Sequence, residues 1–116
     1  MFDIPNVPPS VNACYRATGS RVYKSQRLRQ YEEQMKVFFA DDSDPIQRLE
    51  GRLQLTVKFS FKGHRKRDLD NLLKPLLDSL EGVLFENDNQ LFEIRASKEY
   101  GAQQDGTTVL LTQLAD

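Results

Sequence analysis

The stretch Leu53-Gln54-Leu55-Thr56-Val57-Lys58-Phe59-Ser60-Phe61 alternates apolar and polar side chains at every position. A period of two places the apolar side chains on one face of a β-strand and the polar ones on the other. The stretch therefore predicts a strand with one buried side and one side that faces solvent. A half-buried strand of this kind needs a covering layer, which the flanking sequence has to supply.

Two amphipathic helices are predicted on either side of this strand. Residues 26–40 carry apolar side chains at spacings of three and four, behind Ser25, which is a favourable N-cap residue. A leucine stripe with a period of 3.6 predicts a second helix after the strand. Pro75 lies within this stripe, and a proline inside a helix costs about 3 kcal/mol. We therefore expect the second helix to span about 71–81, which places Pro75 close to its first turn.

Shorter strands and loops complete the expected fold. The polar cluster Asp41-Asp42-Ser43-Asp44-Pro45 should end the first helix in a loop. The last two strands are expected to pair as an antiparallel hairpin. We predict an α+β fold, a two-layer sandwich of two helices packed on a mixed sheet of about four strands, in a single domain over residues 1–116. The additional strands are expected at residues 1–4, 22–23, 92–97 and 107–112.

Length and composition restrict the class of protein. With 116 residues and 39% hydrophobic residues, the chain fits one globular domain and is too apolar to be disordered. Its one cysteine, Cys14, excludes a disulfide framework and a cysteine-rich zinc site. The sequence contains no apolar run of the roughly 20 residues that span a bilayer and opens with no charged-then-apolar leader. We therefore expect a cytoplasmic protein that does not enter a membrane.

Charge is divided unevenly along the chain. Residues 1–74 contain 14 Lys and Arg against 9 Asp and Glu, a net charge of +5. Residues 75–116 contain 2 against 8, a net charge of −6, so the whole chain carries −1. The overall charge argues against a nucleic-acid coat protein, whereas the uneven distribution allows a local surface that faces phosphate groups.

Two aspartates, Asp68 and Asp70, directly follow the basic segment Lys62-Gly63-His64-Arg65-Lys66-Arg67. In extended backbone both carboxylates would point the same way, and such hard oxygen ligands suit Mg²⁺ or Mn²⁺. Lys74 lies one helical turn beyond Asp70, and Asp88, in a turn after the second helix, is the candidate third ligand. Carboxylates beside a basic loop are the arrangement expected for metal-dependent phosphodiester hydrolysis.

Simpler interpretations remain open for each of these residues. An Asp-x-Asp pair before a helix often serves as an N-cap, and spacing alone slightly favours that role. Asp70 with Lys74 is also the spacing of a surface ion pair, worth a few tenths of a kcal/mol. Asp88 lies in a Glu-Asn-Asp-Asn sequence typical of turns, and a basic loop is more often only solvated.

Two other Asp-x-Asp sites are excluded. An EF-hand loop that starts at Asp68 would need a polar ligand, a glycine and a glutamate where Leu72, Leu73 and Ser79 stand. A phosphatase of the aspartyl-phosphate type places its nucleophile directly after a buried strand. Here six residues separate Phe61 from Asp68.

Several longer motifs resemble the RusA family of Holliday junction resolvases. They are the segments Arg67-Asp68-Leu69-Asp70-Asn71-Leu72-Leu73-Lys74, Leu77-Asp78-Ser79-Leu80 and Asn87-Asp88-Asn89-Gln90-Leu91. The opening Ile4-Pro5 through Pro8-Pro9-Ser10-Val11-Asn12, together with Tyr15, is also similar to the start of that family. The resemblance covers residues 4 to about 100, and the aspartate block is far more specific than Asp-x-Asp alone.

This resemblance implies a homodimeric, Mg²⁺-dependent endonuclease, with Mn²⁺ as a substitute and no organic cofactor, that cuts four-way DNA junctions by paired symmetric nicks. The family's metal-site aspartates fall on Asp68, Asp70 and Asp88, and its essential lysine on Lys74. A junction-binding protein with little turnover and a nuclease for other branched DNA remain as alternatives. The residues expected to bind DNA are Asn12, Tyr15, Lys62, Arg65, Lys66 and Arg67.

Overall fold

The computed structural model describes residues 1–40 and 48–115, and its centre is the alternating strand. The side chains at both ends and at every second position of Leu53–Phe61 are buried. The predicted strand is therefore confirmed. The elements, in chain order, are β1 (Phe2–Ile4), β2 (Tyr15–Thr18), β3 (Arg21–Lys24), α1 (Gln26–Phe39), β4 (Leu53–Phe61), α2 (Leu69–Leu80), β5 (Leu91–Tyr100) and β6 (Gly106–Gln113).

Four strands form a mixed sheet in the order β1-β6-β4-β5. β4 pairs in parallel with β5 and antiparallel with β6, which in turn pairs antiparallel with the short β1. Both helices contribute buried side chains to the core that β4 lines, among them Met35 of α1 and Leu76 of α2. The α+β fold of two helices on a mixed four-stranded sheet is confirmed.

The predicted hairpin of the last two strands is wrong, because β5 and β6 lie on opposite sides of β4. α2 is the crossover between β4 and β5, and a crossover of this kind joins parallel strands. The following loop then passes over the end of β4. There the backbone N–H of Ala102 donates to the carbonyl of Phe61 at 3.0 Å, and that of Lys62 donates to the carboxylate of Asp105 at 2.8 Å.

The start of α2 also differs from the prediction. The helix begins at Leu69, two residues earlier than expected, so Pro75 is buried in its interior rather than near its first turn. Pro75 supplies no backbone donor to the residue four positions earlier. Leu72, Leu76 and Leu80 are each at most 1% exposed, and burying one leucine side chain contributes about 1.5–3 kcal/mol. The packed stripe therefore outweighs the local cost of the proline.

Helix α1 begins as its N-cap residue predicts. The Ser25 hydroxyl accepts a hydrogen bond from the N–H of Leu28 at 3.2 Å and donates one to the carbonyl of Ala13 at 2.5 Å. The predicted loop after this helix, residues 41–45, lies outside the described residues. No helix in the described part of the chain has the length and apolar character needed to cross a membrane.

β2 and β3 form a separate two-stranded sheet, which we call the β2–β3 hairpin. Only residues 22–23 were predicted to be extended, and β2 was not predicted. The eight strand residues of the hairpin are all exposed. The hairpin joins the 3₁₀ turn Val11–Ala13 to α1 and therefore lies on the side of the sheet that carries the helices.

Candidate active site

The two adjacent aspartates lie where α2 begins, and their backbones differ. Asp68 is the N-cap residue, with an extended backbone of φ −92° and ψ 134°, and Asp70 lies in the first helical turn. The expectation that extended backbone aligns both carboxylates is therefore wrong, because the helix starts between them. The side chain of Asp68 makes no capping hydrogen bond, so the capping interpretation is not supported for this residue.

The peptide unit before Asp68 is held from both sides by the end of β5. The backbone N–H of Arg67 donates to the hydroxyl of Tyr100 at 3.0 Å, and the ammonium of Lys98 donates to the carbonyl of Arg67. The guanidinium of Arg67 lies 4.0 Å above the ring of Phe61. The hydrogen bond from the Arg67 N–H is the main cause that lowers the pKa of Tyr100. These contacts fix the direction in which the chain enters the helix.

A pocket of about 250 Å³ opens beside this segment. Asn12 comes from the 3₁₀ turn, and Arg65, Lys66 and Arg67 come from the basic loop. Asp68 also lines the pocket, which therefore has three cationic residues and one acidic residue in its lining. Five of the predicted site residues are thus brought to one concave surface, whereas Lys62 is exposed and outside its lining.

A second pocket, of about 330 Å³, adjoins the first. Arg65, Arg67 and Leu72 line both pockets, and α1 adds Arg27 to the second. The basic surface therefore continues from the loop onto the first helix.

Lys74 pairs with a different carboxylate from the one its spacing suggested. Its ammonium lies 3.4 Å from Asp78, one turn further along α2, and both side chains are substantially exposed. Asp78 is the main cause that raises the pKa of Lys74, and Tyr15 and Asp88 act in the same direction. Tyr15 and Asp88 therefore each lie within electrostatic range of Lys74, and both were predicted site residues.

Asp88 begins a 3₁₀ turn that Gln90 holds in place. The side-chain oxygen of Gln90 accepts hydrogen bonds from the N–H groups of Glu86 and Asn87, at 3.0 and 3.1 Å. Its amide nitrogen donates to the carbonyls of Leu49 and Gly51, at 3.2 and 3.1 Å. The loop is fixed by these four contacts, while the Asp88 side chain remains exposed.

The carboxylates of Asp68, Asp70 and Asp88 accept no hydrogen bond and form no ion pair with any described residue. They are donors that the fold has not used elsewhere, and their oxygen chemistry fits a hard divalent cation. Across residues 1–40 and 48–115, no three His, Cys, Asp or Glu side chains are gathered closely enough to hold a metal ion.

Residues that hold the site in place were missed by sequence reasoning. Tyr100 and Lys98 are separated from Arg67 by 33 and 31 positions, and neither belongs to a motif, so the sequence offered no signal for them. Gln90 lay inside the quoted motif Asn87-Asp88-Asn89-Gln90-Leu91, but its structural role was not predicted. The lone His64, to which no role was given, packs against the Tyr100 ring, with ring centroids 6.3 Å apart.

Comparison with known proteins gives a consistent result. Residues 5–112 match the sequence model of the family described as endodeoxyribonuclease RusA. The chain is 35% identical, over 86 residues, to a crossover junction endodeoxyribonuclease of Enterobacteria phage HK97, a match that covers 74% of this chain and 71% of that protein. It is 28% identical, over 107 residues, to a crossover junction endodeoxyribonuclease of Aquifex aeolicus (strain VF5), covering 87% of this chain and 80% of that protein.

Proposed function

We propose that this chain, which belongs to the RusA family of endodeoxyribonucleases, resolves four-way DNA junctions by symmetric cuts in two strands. The observation that carries this proposal is the pocket whose lining includes both the basic residues Arg65, Lys66 and Arg67 and the acidic residue Asp68. Cationic side chains bind the phosphates of a DNA strand, and carboxylates in the same place can bind a metal ion at the bond to be cut. A pocket with the cationic side chains but no carboxylate would support binding without hydrolysis.

We propose Mg²⁺, with Mn²⁺ as a substitute, as the metal, and Asp68, Asp70 and Asp88 as the residues that would hold it. Support for this set comes from donor chemistry alone, because none of the three carboxylates is used as a cap or in an ion pair among the described residues. The described structure does not gather the three closely enough to hold a metal ion, so the set is a proposal about the metal-bound protein. When bound, a divalent cation polarises the phosphate and lowers the pKa of an attacking water. The protein's own part is to fix the Asp68 backbone through the contacts of Arg67 with β5.

We propose that Lys74 offsets the negative charge that develops on the phosphoryl oxygens as the phosphodiester bond breaks. Its support is the electrostatic proximity of Asp88 and the exposed position of its ammonium on α2. Asp78 raises the pKa of Lys74 above its ordinary value, so Lys74 is cationic at neutral pH. Asn12 and Tyr15 would contact the same strand from the N-terminal side of the site.

Paired symmetric cuts require two sites related by a two-fold axis. A homodimer supplies two such sites, because each protomer carries one site and the two-fold axis places them symmetrically. We therefore propose that two copies act together on one junction, and that they do so in the cytoplasm.

The decisive experiment uses a synthetic four-way junction with each strand labelled in turn, beside a linear duplex and a flap of matching sequence. We expect paired nicks at symmetric positions of the junction with Mg²⁺ and no nicks with EDTA. Equal cutting of the flap would identify a nuclease for other branched DNA instead. Binding of the junction with no nicks in Mg²⁺ or in Mn²⁺ would identify a junction-binding protein.

Salt dependence tests the basic loop separately from the chemistry. Arg65, Lys66 and Arg67 from each of two protomers give about six phosphate contacts. Counterion release at about 0.9 per contact predicts a slope of roughly −5 for log affinity against log salt concentration. A slope near −1, measured with Ca²⁺ in place of Mg²⁺, would show that the loop does not face DNA.

A further inference from the structure

The β2–β3 hairpin is an exposed arm that the proposed site does not use beyond Tyr15. Within the described part of the chain its eight strand residues pair only with each other, and Val22 and Tyr23 are 69% and 47% exposed. Residues that are directly opposite in an antiparallel pair share one face. One face therefore carries the pairs Tyr15 with Lys24 and Ala17 with Val22, and the other carries Arg16 with Tyr23 and Thr18 with Arg21.

The first of these faces is directed towards the body of the protein. Lys24 forms an ion pair with Glu32 of α1 at 3.0 Å, and Tyr15 lies within electrostatic range of Lys74 on α2. The opposite face, which we call the outer face, is therefore turned away from both helices. Nothing in the described part of the chain covers it.

The outer face presents an aromatic ring between two arginines. The hydroxyl of Tyr23 lies 2.8 Å from that of Thr18, and this hydrogen bond restrains the ring. Arg16 lies directly across the pair from Tyr23, about 5 Å away, and Arg21 lies two residues along the same strand, about 7 Å away. Among the described residues, neither arginine forms an ion pair or a side-chain hydrogen bond.

The surrounding sequence is cationic without interruption. Residues 4–31 contain no Asp or Glu, although the chain as a whole has one more acidic than basic residue. A positively charged surface attracts a polyanion such as DNA and repels a polycation. The basic residues of this segment are Arg16, Arg21, Lys24, Arg27 and Arg29.

We propose that the outer face of the β2–β3 hairpin is a second DNA contact, which engages the branch point of the junction. A base at the branch point, where helical stacking is interrupted, stacks on Tyr23, and the phosphates on either side of it bind Arg16 and Arg21. Stacking on an aromatic ring flanked by cations is how proteins bind DNA that lacks a continuous duplex. This inference rests on the proposed action on junctions and assigns the hairpin the task of recognising the branch.

Two sets of variants test it, each with a matched control. Y23S removes the ring, whereas Y23F keeps the ring and loses only the hydroxyl. The double variant R16Q/R21Q removes two positive charges from the outer face. Its control, K58Q/R95Q, removes two positive charges from the sheet face that is turned away from the helices.

Affinities for a four-way junction and for a linear duplex of the same arms are measured with Ca²⁺ in place of Mg²⁺. We expect Y23S to weaken junction binding about tenfold and duplex binding less than twofold, while Y23F stays within twofold of the parent on both. R16Q/R21Q should reduce the magnitude of the salt slope by about 1.8 for each protomer that engages DNA. K58Q/R95Q should leave the slope unchanged.

Several outcomes would overturn the inference. It fails if Y23S binds the junction as Y23F does, or if R16Q/R21Q shifts the slope no more than K58Q/R95Q. It also fails if sedimentation without DNA shows that the hairpin variants lose a dimer that the controls keep, since the outer face would then bind a second copy. If the parent cuts the junction and the hairpin variants behave like it, only this inference is lost. If the parent neither binds nor cuts a junction, the proposed function is lost with it.

Discussion

Replacing Lys74 by alanine distinguishes a catalytic lysine from a surface ion pair, because the two roles predict effects of very different size. The contact with Asp78 is an exposed i,i+4 pair at 3.4 Å, with side chains 60% and 42% exposed. Such a pair contributes about 0.3–0.5 kcal/mol to stability, or roughly 2 °C in Tm for a domain of this length. A cation that stabilises the developing phosphoryl charge lowers the activation free energy by about 3 kcal/mol, which raises the rate roughly a hundredfold.

The assay is single-turnover cleavage of a four-way junction at saturating protein with Mg²⁺, alongside the Kd measured in Ca²⁺. We expect K74A to lower the rate about a hundredfold and the affinity less than threefold. Asp78→Asn is the matched control, since it breaks the same ion pair but keeps the lysine. It should lose the same small amount of stability and keep a rate close to that of the parent.

The pH dependence supplies a second check. Asp78 raises the pKa of Lys74 above its ordinary value, so the ammonium does not titrate between pH 6 and 9. The effect of K74A should therefore be constant over that range. The reasoning is refuted if K74A cleaves within threefold of the parent, or if D78N loses as much rate as K74A does. An equal loss of rate and affinity in K74A would make the lysine a phosphate contact.

Three further predictions concern single side chains. Asp70→Asn should abolish cleavage and leave junction binding intact, because it removes a proposed metal ligand and one negative charge beside the DNA. Loss of binding in a gel-shift assay, or a circular dichroism spectrum of an unfolded chain, would instead indicate a structural role. Tyr100→Phe should lower cleavage several-fold with little change in Kd, because the backbone of Arg67 loses a hydrogen bond worth about 0.5–1.5 kcal/mol, and a normal rate would show that Lys98 alone holds this peptide unit. Burial raises the pKa of Tyr31, so above about pH 10 the unfolded chain ionises first and stability falls by up to about 1.4 kcal/mol per pH unit. Tyr31→Phe should remove that fall, because phenylalanine has no hydroxyl to ionise; a urea midpoint that drops as much between pH 7 and pH 10.5 in the variant as in the parent would contradict this.

Local pattern was enough to predict both helices and the four strands of the main sheet, but it predicted neither β2 nor how the last strands pair. The period of two in β4 and the periods of three and four in the helices are properties of neighbouring residues, so the sequence displays them directly. The choice of β4 rather than β6 as the partner of β5 depends on where α2 packs, and that is a tertiary property. Pro75 misled the prediction for the same reason, because a local cost was weighed without the leucine burial that offsets it.

The candidate site divides in a similar way. The aspartates, Lys74 and the basic loop are conspicuous in sequence because their charge and spacing are properties of neighbouring residues. The contacts that hold Arg67, by contrast, come from Tyr100 and Lys98 on a strand that begins 24 residues later, and nothing in their neighbourhood marks them. Supporting residues of this kind are chosen by the three-dimensional fold, and only a structure identifies them.

The strand order also determines when the domain can assemble during its synthesis. β1 is made first, yet its one partner in the sheet is β6, through Phe2 with Val109 to Ile4 with Thr107. The central strand β4 likewise receives both neighbours from sequence that is translated after it. A ribosome that stalls before residue 106 therefore holds a chain whose first strand has nothing to join and whose central strand has one open edge. Such chains should be sensitive to protease and should bind chaperones, and release from both should coincide with the emergence of β6 rather than increase gradually with length.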